Sequence, residues 1–404
     1  MARQPSPSGG PGPEFVRPLV DFLRTEAAGG VALVVATAVA LVWANSPWDA
    51  AYDDLWHTRL AISLGGHELD LDLRHWINDG LMTVFFFVVG LEIKRELAEG
   101  ELREPRKAAL PAIAAVGGMV VPALIFLALN AGRPAADGWG IPMATDIAMA
   151  VGVLSLLGGR VPASLKLFVL ALAIVDDIGA ILVIALFYGD AVHLDALAVA
   201  GLLVAATLVM RWAGVRSFAA YVAAGVVLWL AVHESGVHTT LVGVVLGLLA
   251  PTRPMRQPDL IDADALADVS SYEAARETVA LARDSVSVVE WLEHRLHGWS
   301  SFAVVPLFAL ANAGVPISGD AVGAAFTSRL GAGIVVGLVV GKPVGITACT
   351  WLAVRLRWGV LPDGAAWRGI VAVSALAGIG FTVSVFVAGL AFDGAPARQD
   401  EAKV

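Results

Sequence analysis

Asp176 and Asp177 stand side by side in the middle of the 22-residue run 167–188, LFVLALAIVDDIGAILVIALFY, which contains no other charge. The run is long enough to cross a bilayer, so two carboxylates fall at mid-depth, where each costs roughly 2.5 to 3.5 kcal/mol on the insertion scale. Lipid cannot solvate them, so the pair must face water, a cation or protons. Lys342 lies equally deep in GAGIVVGLVVGKPVGITACTWLAV and needs an anionic partner unless it snorkels to an interface. Asp146, preceded by Thr145, stands just before the apolar run 147–156. These residues form one candidate cluster of buried ions. Positions 176 and 177 point about 100° apart on a helix, so one can meet Lys342 while the other faces an aqueous funnel. Burial penalises the charged form of either group, and such side chains could trade protons near neutral pH. Carboxylates that bind either a small hard cation or protons make an exchanger, and two protons released per sodium ion would make it electrogenic.

The elements that carry these residues are membrane spans. The 404 residues are 57% hydrophobic and 16% charged, with mean hydropathy +0.75, which excludes an ordinary soluble domain. A net charge of −9 without a basic stripe excludes a nucleic-acid partner. The single cysteine, Cys349, excludes an internal disulfide. His233, Glu234 and His238 miss the zinc spacing, and the sequence around Lys342 lacks the first glycine and the Ser/Thr of a phosphate loop. No cofactor is implied.

Apolar windows at 27–45, 76–91, 108–130, 140–157, 161–188, 194–210, 217–232, 236–250, 299–316, 331–354 and 369–392 predict eleven crossings. Lys94, Arg95, Arg103, Arg106 and Lys107 lead an excess of basic residues in alternate connections, which predicts a cytoplasmic amino terminus. Residues 1–14 read as a disordered cytoplasmic tail, 15–392 as the membrane domain and 393–404 as an external tail. Within it, 58–73 reads as an external β-hairpin turning at Gly65 and Gly66, with Ile62 opposite Leu69 and Leu60 opposite Leu71. Its apolar face invites a second copy, or the protein's own loops. The polar connection 251–290 reads as a cytoplasmic loop with a helical stretch over 271–289.

Two windows carry breaks. Thr145 and Asp146 before an apolar run are a helix-start signature, and Gly378 and Gly380 permit an interruption in the last window, where simple glycine packing is the competing account. Together they point to half-helix ends meeting at mid-membrane, where substrate ions bind.

In order along the chain, WINDGLM, GLEIKREL, ATDIAMAVGVLSLLG, LALAIVDDIGAILVIALFY, SGVHTTL, LFALANAG, GKPVGI and GIGFTVSVF resemble the bacterial NhaA sodium/proton antiporter family. That family is itself a standing example of the inverted-repeat pattern with broken helices. The resemblance implies an all-α polytopic fold and sodium or lithium exchange for protons at Asp176 and Asp177, which bind the metal ion transiently. It implies that Lys342 pairs with one of them, and that Thr145 and Asp146 lie at the crossing of two discontinuous helices. There Asp146 would offset helix amino-terminal dipoles and Lys342 the carboxyl-terminal ones. It further implies a pH-sensing set of Glu92, Arg95, Glu96, Glu293, His294 and His297, where an ordinary charged helix mouth is the competing account. A hairpin-mediated homodimer in the bacterial inner membrane completes the family picture. The family has a twelfth span, so the chain reads as a fragment lacking its last helix. Glu290 and Arg295 depart from the family pattern, where a basic and an apolar residue are expected. A passive cation channel and an intramembrane aspartyl protease are the alternative functions, although no GxGD motif is present.

Overall fold

The computed structural model describes residues 16–64, 67–157, 160–189, 192–215, 217–252, 286–319, 323 and 327–404. The turn at Gly65 and Gly66, the tail 1–14 and most of the 251–290 connection lie outside the described residues.

Helix α1 (Val16–Ala44) leads to the short α2 (Asp49–His57) and to the strands β1 (Arg59–Leu64) and β2 (His67–Asp72). The strands pair antiparallel in the register expected, with Leu60 opposite Leu71 and Ile62 opposite Leu69. Leu69 and Leu71 pack with Trp76 and Trp229, while Leu60 and Ile62 stay exposed. Next come α3 (Leu73–Ala98) and α4 (Pro105–Asn130). The following span is broken into the 3-10 segment Pro134–Met143 and α5 (Ile147–Leu156), bent by 40° at the break. Then follow α6 (Ala163–Phe187), α7 (Leu194–Trp212), α8 (Phe218–Glu234), α9 (Thr240–Leu249) and α10 (Val288–Trp299). A π-helical turn, Ser300–Val304, joins α10 to α11 (Val305–Asn312). After α12 (Arg329–Arg355), a second broken span consists of α13 (Trp367–Leu376) and α14 (Phe381–Ala391), bent by 48°.

Among the described residues, six helices are long and apolar enough to cross a membrane, or eight if each bent pair is one span. That is fewer than the eleven windows, for a geometric reason. Helices α8 and α9 are apolar but short, and the 299–316 window is divided between the π turn and α11. The segment 393–404, expected as an external tail, contains the helix α15 (Pro396–Lys403). A proline at its start suits helix initiation, and Gln399 Nε2 donates to the Gly389 and Phe392 carbonyls at the end of α14.

Close backbone approach sets the packing around the charged centre. Helices α4 and α12 touch at Gly117 and Gly345, where a Cβ built on Gly345 would fall 2.7 Å from the Gly117 carbonyl carbon. Only glycine permits that contact. The principal apolar core, including Phe86, Phe126, Ile141, Ile184, Phe308 and Phe386, closes around the two broken spans.

Candidate functional site

The site is assembled from six stretches of chain far apart in sequence. Helix α6 supplies Asp176 and Asp177, both buried. Their divergence around the helix sends them to different surroundings. Asp176 Oδ2 accepts hydrogen bonds from Lys342 Nζ at 2.6 Å and from Thr145 Oγ1 at 2.5 Å. Lys342 is wholly buried on α12 and also donates to the Met143 carbonyl at the end of the 3-10 segment. Asp176 Oδ1 is buried with no hydrogen-bond partner among the described residues. Asp177 takes the other direction. It lines a small cavity with Thr145, Asp146, Thr382, Glu92 and His297.

A π-helical turn, Gly337–Gly341, immediately precedes Lys342. The extra residue in that turn resets the direction of every side chain after it, and such insertions recur at functional sites. Gly341 meanwhile lies against Pro122 of α4, which lets α12 approach closely enough for the lysine to reach α6.

The two broken spans are laced together where they cross. Asp146 caps α5 by accepting from Met149 N at 3.0 Å through Oδ1. Its Oδ2 accepts from Thr382 N at 3.0 Å and from Thr382 Oγ1 at 2.6 Å, at the start of α14. One carboxylate therefore meets the positive ends of both half-helices. The opposite ends are also met. Lys342 reaches the Met143 carbonyl, and Thr145 Oγ1 lies 3.0 Å from the Ala377 carbonyl at the end of α13. The threonine has one proton for its two acceptors, so it serves Asp176 or Ala377 at any moment. Asp146 N donates to Ile379 O at 2.7 Å and Ser384 Oγ to Ile141 O at 2.8 Å, completing the crossing. Gly378 and Gly380 both lie in the break, but neither has a positive φ. Their value is proximity: a Cβ on Gly380 would fall 2.8 Å from the Ala144 carbonyl oxygen.

One end of the cavity carries the rest of the expected set. His297 Nδ1 lies 3.5 Å from Glu92 Oε1, and both residues line the cavity that holds Asp177. Arg95 Nη1 donates to Glu293 Oε1, and Glu293 is nearly fully buried. Burial pushes the Glu293 carboxyl up to about 7, with Arg95 opposing and the nearby Glu92 reinforcing the shift. Glu96 and His294 are not brought into this group. Glu96 Oε1 accepts from Glu101 N at 2.7 Å to fix the end of α3, and His294 is exposed on another face of α10.

Thr382 and Ser384 were not singled out by type or spacing, although both lie within GIGFTVSVF. Two small polar residues directly after a glycine break, two positions apart, were the available signal.

The sequence model of the family described as Na+/H+ antiporter 1 matches residues 20–404. The chain belongs to that family. Among relatives of this antiporter family, the Na(+)/H(+) antiporter NhaA 2 of Sorangium cellulosum is 50% identical over 96% of this chain and 86% of its own length. The Na(+)/H(+) antiporter NhaA of Rhodopirellula baltica is 47% identical, covering 94% of this chain and 88% of its own. That of Oleidesulfovibrio alaskensis is 44% identical over 100% of this chain and 94% of its own. The antiporter family is one of membrane transporters, and this chain is a transporter, not an enzyme.

Proposed function

We propose that this protein exchanges intracellular sodium or lithium ions for external protons, with Asp176 and Asp177 as the shared ion and proton site. One observation carries the reading. Of two neighbouring buried acids, Asp176 is held by the internal cation Lys342 while Asp177 borders a cavity, so an entering cation meets one ready carboxylate and can compete with lysine for the other. Ion and protons would then use the same oxygens in turn. Two protons against one sodium ion leave a net charge movement, so exchange is electrogenic and driven by the membrane potential. Thr145, Asp146 and Lys342 hold the helix crossing and offset its dipoles.

The pH regulation expected of the protein falls to Glu92 with His297 and Arg95 with Glu293, because these pairs sit on or beside the cavity and histidine titrates in the physiological range. We place the amino terminus in the cytoplasm and the protein in the bacterial inner membrane, with eleven crossings in this chain, on the distribution of its basic residues. A homodimer through the hairpin is supported by the exposed Leu60 and Ile62.

Proteoliposomes give the test. Sodium added outside vesicles that start at equal pH on both sides should drive protons outward, against the pH gradient this builds, in wild type, and Asp177→Asn and Lys342→Ala should each reduce it. Downhill sodium leak without uphill proton flux would favour a passive channel. Equal flux in all three proteins would overturn the site.

A further inference from the structure

Asp146 has three donors: Met149 N on one oxygen, Thr382 N and Thr382 Oγ1 on the other. A carboxylate has about four lone-pair positions, so this one is nearly saturated by the protein itself. Yet it borders the same cavity as Asp177. Something must keep a wall carboxylate from acting as a cation ligand. The backbone donors cannot change with sequence, but the Thr382 hydroxyl can, and at 2.6 Å it is the shortest of the three bonds. Thr382 is buried and lines the cavity beside the carboxylate it binds.

We infer that Thr382 is a specificity-determining positioning residue, which holds Asp146 as a helix cap and so confines cation coordination to the Asp177 side of the cavity. Losing the hydroxyl frees a lone pair of Asp146 Oδ2 beside the ion's position, while Thr382 N still holds the helix start. The ion gains one anionic oxygen. Ligand number and cavity size govern selection among hard cations, and the larger sodium ion gains more from an added ligand than lithium, which prefers a smaller coordination shell. The inference rests on the exchange reading above and concerns which ion that site favours.

The test compares wild type, Thr382→Val and Thr382→Ser in proteoliposomes, measuring apparent KM and maximal rate for sodium and for lithium. Thr382→Val should lower the sodium KM at least threefold and shift the sodium-to-lithium KM ratio toward sodium by a similar factor. Thr382→Ser, which restores a hydroxyl, should return the ratio to the wild-type value. A purely structural threonine would lower the maximal rate for both ions and leave their KM ratio alone, and that result would overturn the inference. If Thr382→Val does not fold, Thr382→Ala carries the same comparison without adding bulk beside the carboxylate. A changed ratio in Thr382→Ser would also overturn it, since the hydroxyl is retained. Absence of exchange in wild type, or full exchange in Asp177→Asn, would instead bring down the underlying reading and this inference with it.

Discussion

At the scale of single residues, the acidic doublet divides its work because adjacent helical positions point apart. Asp176 is engaged by Lys342, and Asp177 faces the cavity. Both members of the ion pair are fully buried, so removing one partner strands the other without water. Lys342→Ala should therefore cost about 3 to 5 kcal/mol of stability, and adding Asp176→Asn should recover part of the loss, as measured by thermal unfolding in detergent. A double variant no more stable than Lys342→Ala would contradict this account. Glu293 supplies a pH dependence of defined sign. Its carboxyl is raised from 4.5 to about 7, so between those values the folded protein holds a proton that the unfolded chain releases. Stability contributed by this group is thus intact below about 4.5, declines as pH rises and is lost above about 7. Glu293→Gln keeps an acceptor for Arg95 but cannot ionise, so the variant should gain on wild type as pH rises from about 5 to about 8. Parallel unfolding profiles would argue against a buried, protonated Glu293.

At the scale of elements, position is set by close approach and by irregular turns. Gly345 is three residues from Lys342 and lies against Gly117, so a side chain there has to push α12 away from α4. Gly345→Val should destabilise the protein by about 1 to 3 kcal/mol and cut exchange with no ionisable group altered. Unchanged flux in that variant would mean that the lysine reaches Asp176 without the glycine contact. The broken spans place four half-helix ends at one point. Their dipoles are met by Asp146 on the amino side and by Lys342 and Thr145 on the carboxyl side. Three helices that border the site or its surroundings contain π turns, at Trp76–Leu81, Ser300–Val304 and Gly337–Gly341. Such turns leave no mark on a hydrophobic pattern, which is why the windows at 299–316 and 331–354 looked like ordinary spans.

At the scale of the whole molecule, buried acids inside an apolar body suit a membrane transporter of the sodium/proton antiporter family. If two protons move against each sodium ion, an imposed membrane potential should change the exchange rate of reconstituted protein, and a rate indifferent to the potential would show electroneutral exchange. The hairpin presents Leu60 and Ile62 outward, so Ile62→Asp should weaken self-association, read as a fall in the dimer fraction by light scattering. The amino-acid sequence by itself determined that the chain is a membrane protein, where most apolar helices run, that a helix starts at Asp146 and that Asp176, Asp177, Asp146 and Lys342 are its exceptional charges. These follow from composition, length and capping, which act over a few neighbouring residues. Only the tertiary structure decided that the last span breaks at Gly378 and Gly380, that Asp176 and not Asp177 takes the lysine, that Thr382 holds Asp146, and that His294 and Glu96 stand outside the cavity. The partners involved are 166 residues apart for Lys342 and Asp176, and 236 for Thr382 and Asp146. No local signal spans such distances, because the bonds exist only after glycine contacts and irregular turns have brought separate helices together.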